Sequence, residues 1–191
     1  MEINPYHSAL SNPIDINVEL HRWEALKSVV FEYDISLGCH PDFYGVDAIY
    51  SEPSWRAGYS KFMDRAGYTG NSSFEKYLDG ISHTICSLQV PTYIVLGKHM
   101  VKFLKPMHIM PVKLNGGNSL IGVWNVKLPS AKTNVDVLFM ISDTYSRVLD
   151  FCCGYGNTIH AMLKKEKTFV CSDINKKCVF YTAKRYMGYH D

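Results

Sequence analysis

The last quarter of the chain restricts its fold more than any other segment. Two apolar segments, Arg147 to Phe151 and residues 168–172, alternate with two helix-type segments over residues 158–165 and 176–187. Strands that alternate with helices predict a mostly parallel sheet, because each helix returns the chain to the edge at which the previous strand began. We therefore predict an α/β fold.

The upstream sequence predicts further elements around the same sheet. Asn17 caps a predicted helix over residues 18–30, and a short strand over residues 30–35 follows it. Residues 56–72, rich in glycine, aromatic and polar residues, are predicted as a long loop. Two β-rich segments around a Gly-Gly turn predict a hairpin that adds an antiparallel edge to the sheet. The remaining predicted elements are the strand 46–50, a helix from Ser72 or Ser73 to about Leu88, the strand 92–96, and the hairpin strands 107–114 and 120–126.

A glycine turn connects the first of the C-terminal strands to its helix. Gly154 and Gly156 permit a tight turn and let a ligand approach the backbone without a Cβ in the way. Asp150 ends the strand before this turn, and Asp173 ends the following strand, where an acid can accept hydrogen bonds from both ribose hydroxyls of an adenosine. A G-x-G turn alone is better explained by a plain strand-to-helix connection. The ordered combination of strand, turn, helix, strand and acid favours a nucleotide-like ligand.

Two absent patterns narrow the choice of ligand. Ile159 occupies the place of the third glycine in the dinucleotide-binding pattern G-x-G-x-x-G, and the chain has no G-x-x-x-x-G-K-S/T segment. Pyrophosphate and ATP are therefore not indicated. A cofactor with adenosine and no phosphate fits better, and S-adenosylmethionine (SAM) is the common one.

The segment from Asp150 to Thr158 resembles motif I of the amino-methyltransferases of DNA, which is written D-P-F-x-G-x-G-T-T. Phe151, Cys152 and Asn157 depart from that pattern, and Tyr155 stands at a variable position where the family has Ser. Residues 172–175 are similar to the E-x-N segment of the same family, with Asp173 as the ribose-binding acid. The resemblance implies a SAM site formed by Asp150, Cys152, Gly154, Gly156, Thr158 and Asp173.

A second segment resembles motif IV of this family, a strand followed by D/N/S-P-P-Y/F/W. Here the tetrapeptide is Glu52-Pro53-Ser54-Trp55, after the apolar run 46–50. Too few residues follow Gly154 to supply the rest of a sheet, so the missing strands must lie upstream. A catalytic motif that precedes the cofactor motif is typical of the circularly permuted group of adenine and cytosine N-methylases. The resemblance thus implies a Rossmann-like methyltransferase fold with permuted motif order.

The resemblance also implies roles for the residues of this tetrapeptide. An exocyclic amine conjugated to its ring is a poor nucleophile, so its protons must be held by acceptors that direct the nitrogen lone pair at the methyl group. By correspondence, the Glu52 side chain and the Pro53 carbonyl are the acceptors, and Trp55 stacks on the flipped base. Ser54 stands in place of the second proline. We therefore expect methyl transfer to an exocyclic amine of a nucleic-acid base, adenine N6 in DNA.

Glu52 and Ser54 keep a second interpretation open. The family has Asp, Asn or Ser where this chain has Glu52, and one more methylene adds roughly 1.5 Å of reach. Some relatives with Glu at this place are inactive partners that bind RNA beside an active subunit. The alternative is therefore a methyltransferase-fold protein that binds nucleic acid or protein without catalysis. A third hypothesis is a SAM- or nucleoside-using enzyme that acts on a small molecule.

Basic and aromatic residues alternate directly after the candidate catalytic turn. Arg56, Lys61 and Arg65 can contact phosphates, and Tyr59 can stack on a base or, equally, pack its own loop onto the protein. The formal net charge is only +2, so a local patch must supply any contact with nucleic acid. We expect DNA rather than RNA as the partner, and a homodimer or a partner subunit stays open.

Composition sets the remaining expectations. The six cysteines form no C-x-x-C pair and the histidines show no ligand spacing, so no metal site is predicted; the adjacent Cys152 and Cys153 are expected to be buried rather than nucleophilic. The chain has neither a signal-peptide pattern nor an apolar run of membrane-spanning length, which favours a cytoplasmic protein. We predict a single domain over residues 1–191, with an N-terminal extension (1–16), a catalytic half (45–126) and a cofactor-binding half (145–187).

Overall fold

The structure is a computed structural model that describes residues 21–23, 28–54, 56–67, 73–114 and 117–187. The predicted N-terminal extension and Trp55 lie outside these residues. The strands are β1 (His21–Trp23), β2 (Ser28–Glu32), β3 (Ala48–Ser51), β4 (Thr92–Leu96), β5 (His108–Leu114), β6 (Gly117–Trp124), β7 (Arg147–Asp150) and β8 (Thr168–Asp173). The helices are α1 (Arg56–Ala66), α2 (Phe74–Leu88), α3 (Lys98–Leu104), α4 (Asn134–Thr144), α5 (Asn157–Leu163) and α6 (Lys176–Met187), with short 3₁₀ helices at Ile35–Leu37 and Pro41–Phe43.

The strands form one sheet in the order β1-β2-β8-β7-β3-β4-β6-β5. The five strands from β2 to β4 in this order run parallel, whereas β1 pairs antiparallel with β2, and β6 pairs antiparallel with β4 and β5. Every residue of β3 and β4 is buried, as expected for parallel strands that are covered by helices on both faces. The carboxyl ends of the five parallel strands share one edge of the sheet, and this edge carries the candidate site.

Two apolar cores flank the sheet. On one face, residues of α1, α2 and α3 such as Met63, Ile81 and Met100 pack against strand residues such as Leu149. On the other face, the helices α4, α5 and α6 pack against alternate residues of the same strands. The alternation follows from strand geometry, because successive side chains point to opposite faces of a sheet.

The α/β class with a mostly parallel sheet and an antiparallel hairpin edge is confirmed. The C-terminal strand–helix–strand–helix order and the β5–β6 hairpin are as predicted. The second predicted helix is α2, and its N-cap is Ser73, whose side chain accepts a hydrogen bond of 3.2 Å from the amide of Lys76. The positions of these elements could therefore be predicted from capping residues and turn residues in the sequence.

The predicted helix over residues 18–30 is wrong. Residues 21–23 and 28–32 form the strands β1 and β2, while residues 18–20 and 24–27 lie outside the described part of the chain. Residues 28–31 are buried on both faces, and β2 runs beside β8, from Val29 opposite Val170 onward. This pairing joins segments far apart in the sequence and overrides the local capping signal. The strand also ends at Glu32, so the prediction of a strand to Ile35 was too long.

The predicted loop over residues 56–72 is also wrong for its first part. Residues 56–66 form the helix α1, and residues 68–72 lie outside the described residues. Tyr59 and Met63 are spaced four apart, as residues on one face of a helix are, and both are buried in the core. Tertiary packing stabilises this helix despite a glycine near its start.

Helix α2 lies in direct contact with the loop that follows β2. A Cβ at Gly80 would collide with the carbonyl oxygen of Ile35. Only glycine therefore allows the helix to approach the Ile35–Leu37 segment this closely. The contact positions the start of the post-β2 loop against the carboxyl edge of the sheet.

Candidate active site

The ends of two central strands meet at the carboxyl edge of the sheet. β3 ends at Ser51, and its parallel neighbour β7 ends at Asp150. The Ser51 hydroxyl donates a buried hydrogen bond of 2.8 Å to the Asp150 carboxylate. The turn that begins at Glu52 and the glycine turn around Gly154 therefore start from adjacent points of one edge.

Asp150 stabilises the start of the glycine turn. It is 3% exposed and accepts two further hydrogen bonds, from the Thr158 hydroxyl at 2.6 Å and from the Cys152 amide at 3.1 Å. Burial raises the pKa of Asp150 to about 7, although these donors favour the ionised form. Because its oxygens already accept three bonds from the protein, Asp150 ties together β3, the turn and α5.

Asp173 ends β8, the other neighbour of β7. Its Oδ2 accepts a hydrogen bond of 2.9 Å from the Gly154 amide, and its Oδ1 accepts one of 2.8 Å from the Asn175 amide. The residue is 2% exposed, and burial raises its pKa to about 6 while the two amides lower it. Each carboxylate oxygen retains a lone pair beyond these bonds, so Asp173 can accept two further donors such as vicinal hydroxyls.

The two glycines of the turn have different surroundings. Gly156 has a φ of 83°, and a Cβ there would lie 2.7 Å from the Tyr186 ring and 3.0 Å from the Thr182 side chain. Gly154 has a φ of 48°, and a Cβ there would meet nothing within 4 Å. Gly156 is therefore required for packing against α6. Gly154 leaves open space beside the backbone at the strand edge.

A pocket that is open to solvent lies beside Asp173. Its walls come from the loop after β2, from α1 and α2, and from the ends of β7 and β8. The lining residues are Tyr33, Asp34, Ile35, Met63, Tyr77, Phe151, Cys152, Asp173 and Ile174. Apolar and aromatic walls with a few carboxylates suit a ligand that has a flat apolar part and several polar groups. Of these residues, the sequence had indicated Cys152 and Asp173 alone.

The Glu52 carboxylate is held by two donors. The Tyr50 hydroxyl and the Asn134 amide, the latter at 2.9 Å, both donate to Oε1 of Glu52. Tyr50 is 1% exposed, and burial followed by the nearby Glu52 charge raises its pKa, so its hydroxyl stays protonated and donates. Neither residue was indicated by the sequence, since Asn134 lies 82 positions after Glu52.

Tyr77 connects the candidate catalytic turn to the glycine turn. Its hydroxyl accepts a hydrogen bond of 3.1 Å from the Ser54 amide and lies 3.4 Å from the Cys152 sulfur. Pro53, between Glu52 and Ser54, is buried. One residue of α2 thus contacts both turns, and three of the four residues in the motif-IV-like tetrapeptide lie at the same strand edge as the pocket.

Solved structures resemble this chain over most of its length, whereas no protein-family model and no curated protein matches it. M1.HpyAVI aligns over 82% of this chain and 97% of its own, with 16% identity and a TM-score of 0.53. The M1.HpyAVI–SAM complex gives 14% identity and a TM-score of 0.52 over the same shares. TTHA0409 of Thermus thermophilus, described as a putative DNA modification methylase and complexed with SAM, covers 83% of this chain and 94% of its own at 10% identity, with a TM-score of 0.51.

The chain has the Rossmann-like fold of the SAM-dependent methyltransferases. At identities of 10–16%, the likeness establishes the fold and leaves the site residues to be argued from their own geometry. In open parallel sheets, ligands bind outside the carboxyl ends of the strands. The pocket and both turns lie at that edge of this methyltransferase fold.

The cysteines at the glycine turn are not set up as nucleophiles. Burial raises the pKa of the Cys152 thiol, and the hydrogen bond with Cys171 together with burial raises the pKa of Cys153. A thiol with a raised pKa stays protonated and unreactive. Cys153 is buried and Cys152 is partly buried beside the pocket, which agrees with a packing role in the methyltransferase fold.

The predicted nucleic-acid contacts fall on helix α1. Lys61 and Arg65 are exposed on it, and Arg56 is its first residue. Tyr59 is only 7% exposed, and its ring packs 5.3 Å from that of Phe74 and 5.0 Å from that of Tyr77. Of the two alternatives for Tyr59, packing against the protein is the one the structure favours, because a buried ring is not available to a base.

Residues 21–23, 28–54, 56–67, 73–114 and 117–187 contain no group of three or more His, Cys, Asp or Glu side chains arranged to hold a metal ion. In the same part of the chain, no helix has the length and apolar character needed to cross a bilayer.

Proposed function

We propose that this protein is a SAM-dependent methyltransferase that acts on an exocyclic amine of a nucleic-acid base, adenine N6 in DNA. One observation carries the proposal. The turn with Glu52 and the glycine turn leave adjacent parallel strands, joined by the bond between Ser51 and Asp150, at the edge that also bears the pocket. In this proposal, residues 45–126 and 145–187 are the catalytic and cofactor-binding halves of one domain with permuted motif order.

The residues at the pocket fit SAM. The open side of Gly154 leaves room for a ligand against the backbone, and the Asp173 carboxylate is aimed by two amides with capacity for two hydroxyl donors. We assign the adenosine to the pocket beside Tyr33, Asp34 and Tyr77. SAM, when bound, supplies a methyl group on a positively charged sulfur. Asp150, Gly156 and Thr158 contribute by fixing the turn, and Cys152 by lining the pocket.

Glu52 and the Pro53 carbonyl carry the proposed catalytic role. Both are acceptors, so they hold the two protons of the exocyclic amine and turn its lone pair away from the ring. As the new nitrogen–carbon bond forms and the methyl–sulfur bond breaks, the amine loses a proton, which the Glu52 carboxylate accepts. Trp55, by its resemblance to the aromatic residue of motif IV, stacks on the base after it leaves the helix stack.

Helix α1 provides the proposed contact with the nucleic-acid backbone. Lys61 and Arg65 are exposed on the helix that follows the catalytic turn directly, and Arg56 begins it. Phosphate contacts by Lys and Arg orient a duplex without reading its sequence. We therefore propose low sequence selectivity, with the base chosen by its amine.

Two measurements test the proposal together. Calorimetric titration with SAM measures cofactor binding, and mass spectrometry of nucleosides after incubation with SAM and DNA or RNA measures methylation. We expect micromolar-range binding and N6-methyladenine in the DNA. Cofactor binding without any methylated base would contradict the catalytic half of the proposal, and absence of binding would contradict all of it.

A non-catalytic binding protein with the same fold is the second candidate. Glu52 favours it, because its Oε1 already accepts two hydrogen bonds from Tyr50 and Asn134, and because Ser54 replaces a rigid proline. Glu52→Asp separates the candidates. If the wild-type protein is an active methyltransferase, the variant should lose activity, because the turn is adjusted to the longer side chain. If the wild-type protein is an inactive binding protein that keeps the methyltransferase scaffold, the variant should gain methyltransferase activity. Glu52→Gln is the matched control, since it keeps the length and removes the charge.

A further inference from the structure

The two hydrogen bonds on Glu52 occupy the same oxygen. Tyr50 and Asn134 both donate to Oε1, so Oε2 has no donor among the described residues. A carboxylate held in this way has one fixed oxygen and one oxygen free to face outward. The arrangement differs from a carboxylate whose oxygens are both engaged, as those of Asp150 and Asp173 are.

The two donors come from rigid and independent parts of the fold. Tyr50 is a buried residue of β3, two positions before Glu52. Asn134 is the first residue of α4 and is 8% exposed. The start of α4 is fixed by a capping box, in which the Asp136 amide donates to the Thr133 hydroxyl at 3.0 Å and the Thr133 amide donates to the Asp136 carboxylate at 2.9 Å.

A hydrogen bond from β5 also fixes the segment that leads into α4. The Lys113 amide donates a hydrogen bond of 3.0 Å to the carbonyl of Lys132, two residues before Asn134. The segment that delivers Asn134 to the active edge is therefore bonded to the sheet on one side and capped as a helix on the other. Its position does not depend on Glu52.

A glutamate needs such support more than a shorter acceptor does. Its side chain has an additional rotatable bond, so fixing the carboxylate costs more conformational entropy. A displacement of about 1 Å in a reacting geometry can cost on the order of a hundredfold in rate. Two hydrogen bonds to Oε1 restrict the rotation of the Glu52 side chain, and they thereby fix the position of Oε2.

We propose that Tyr50 and Asn134 are positioning residues that hold Glu52 by Oε1 and leave Oε2 to accept a proton of the substrate amine. The proposal rests on the methyltransferase function proposed above, and it explains how a glutamate serves where a shorter side chain is expected. Neither residue touches the substrate or the cofactor in this scheme; both act through Glu52.

Asn134→Ala and Tyr50→Phe test the proposal from two separate elements. Each removes one donor to Oε1, so we expect kcat to fall by about tenfold to a hundredfold, while the dissociation constant for SAM and the KM for DNA change by less than about threefold. The control is Ser142→Ala. Ser142 is fully buried on the same helix and donates to the Phe139 carbonyl at 2.9 Å, away from Glu52, so its loss lowers the melting temperature without lowering kcat.

Crystal structures of the unliganded variants provide a readout that does not depend on activity. We expect the Glu52 carboxylate to shift by about 1 Å or more, or to occupy several rotamers, in both variants and not in Ser142→Ala. A Glu52 side chain that stays in place in both variants overturns the positioning role, whatever the activity. A side chain that moves in a protein whose wild type methylates nothing supports the positioning role and contradicts the proposed methyl transfer instead.

Discussion

The glycine turn and the Glu52 turn lie side by side, but they are held by different kinds of contact. Most hydrogen bonds that shape the glycine turn come from nearby in the chain: Thr158 is 8 residues from Asp150, and Asp173 is 19 residues from Gly154, while Ser51 is the distant donor. The Glu52 turn depends on Tyr77, 23 residues from Ser54, and on Asn134, 82 residues from Glu52.

The difference separates two properties of the site. The glycine turn is shaped mainly by its own segment, even though the pocket beside it also has walls from distant elements, so changes at the turn should alter SAM affinity. The catalytic side is assembled by the whole fold, so changes in distant elements should alter the rate of methyl transfer more than cofactor affinity.

Asp173→Ala should cause the largest loss of SAM affinity. The variant removes the acceptor proposed for the ribose hydroxyls, and hydrogen bonds to a charged group contribute about 1.5–3 kcal/mol each, so we expect SAM affinity to fall by at least about a hundredfold. Calorimetry measures it. Ser172→Ala is the control, because its buried hydroxyl has no hydrogen-bond partner in the described chain. Unchanged affinity in a folded Asp173→Ala protein would exclude Asp173 as the ribose acceptor.

Gly154→Ala should weaken SAM binding beyond its effect on stability. Gly154 and Gly45 have φ angles of 48° and 77°, and a Cβ at either meets nothing within 4 Å. Both alanine variants should therefore lose about 1–2 kcal/mol of folding free energy from left-handed backbone. Only Gly154→Ala places a methyl group in the proposed cofactor space, where we expect about a tenfold loss of affinity. Equal SAM affinities for the two variants would show that the open side of Gly154 is not used.

SAM affinity should depend on pH through Asp173. Burial raises the pKa of this carboxyl to about 6, and only the ionised form offers both oxygens to hydroxyl donors. Affinity should therefore be constant above about pH 7 and fall as the pH drops through about 6, approaching about tenfold per pH unit below it. Calorimetry between about pH 5 and pH 8 measures the profile. The same profile in Asp173→Ala would assign the titration to another group.

Tyr77→Phe should affect the catalytic side more than the cofactor side. The variant frees the Ser54 amide from its hydroxyl partner, and we expect a kcat lowered by about threefold to tenfold, with about 1 kcal/mol lost in stability. Tyr93→Phe is matched to it, since Tyr93 is buried and its hydroxyl lies 3.2 Å from that of Tyr145 rather than near either turn. If Tyr77→Phe lowers SAM affinity more than kcat, Tyr77 acts mainly in cofactor binding and the prediction is wrong.

The same distinction governs what the sequence could predict. The C-terminal strand–turn–helix–strand unit was predicted because its partners lie close together in the chain, and Ser73 located α2 through local capping. The fold class followed from that pattern. The roles of the site residues stay predictions, with Trp55 outside the described residues.

The missed features all depend on contacts that are distant in the sequence. The strand β1 and the first residues of β2 were assigned to a helix because the pairing of β2 with β8 cannot be read locally, and the pocket residues that follow β2 were missed. The helix α1 did leave a signal in the four-residue spacing of Tyr59 and Met63. Asn134 left none, since nothing in its neighbourhood indicates a partner 82 residues away.

The glycine at position 80 has a consequence for the width of the pocket. Because α2 lies directly on the Ile35 carbonyl, Tyr77 one turn earlier and the loop at Tyr33 to Ile35 form facing walls. A side chain at position 80 would push α2 away from the Ile35 backbone and so move the two walls apart. Substitutions at Gly80 should therefore change ligand affinity although no ligand contacts this residue. A screen for altered binding should include residues behind the pocket wall as well as those that line the pocket.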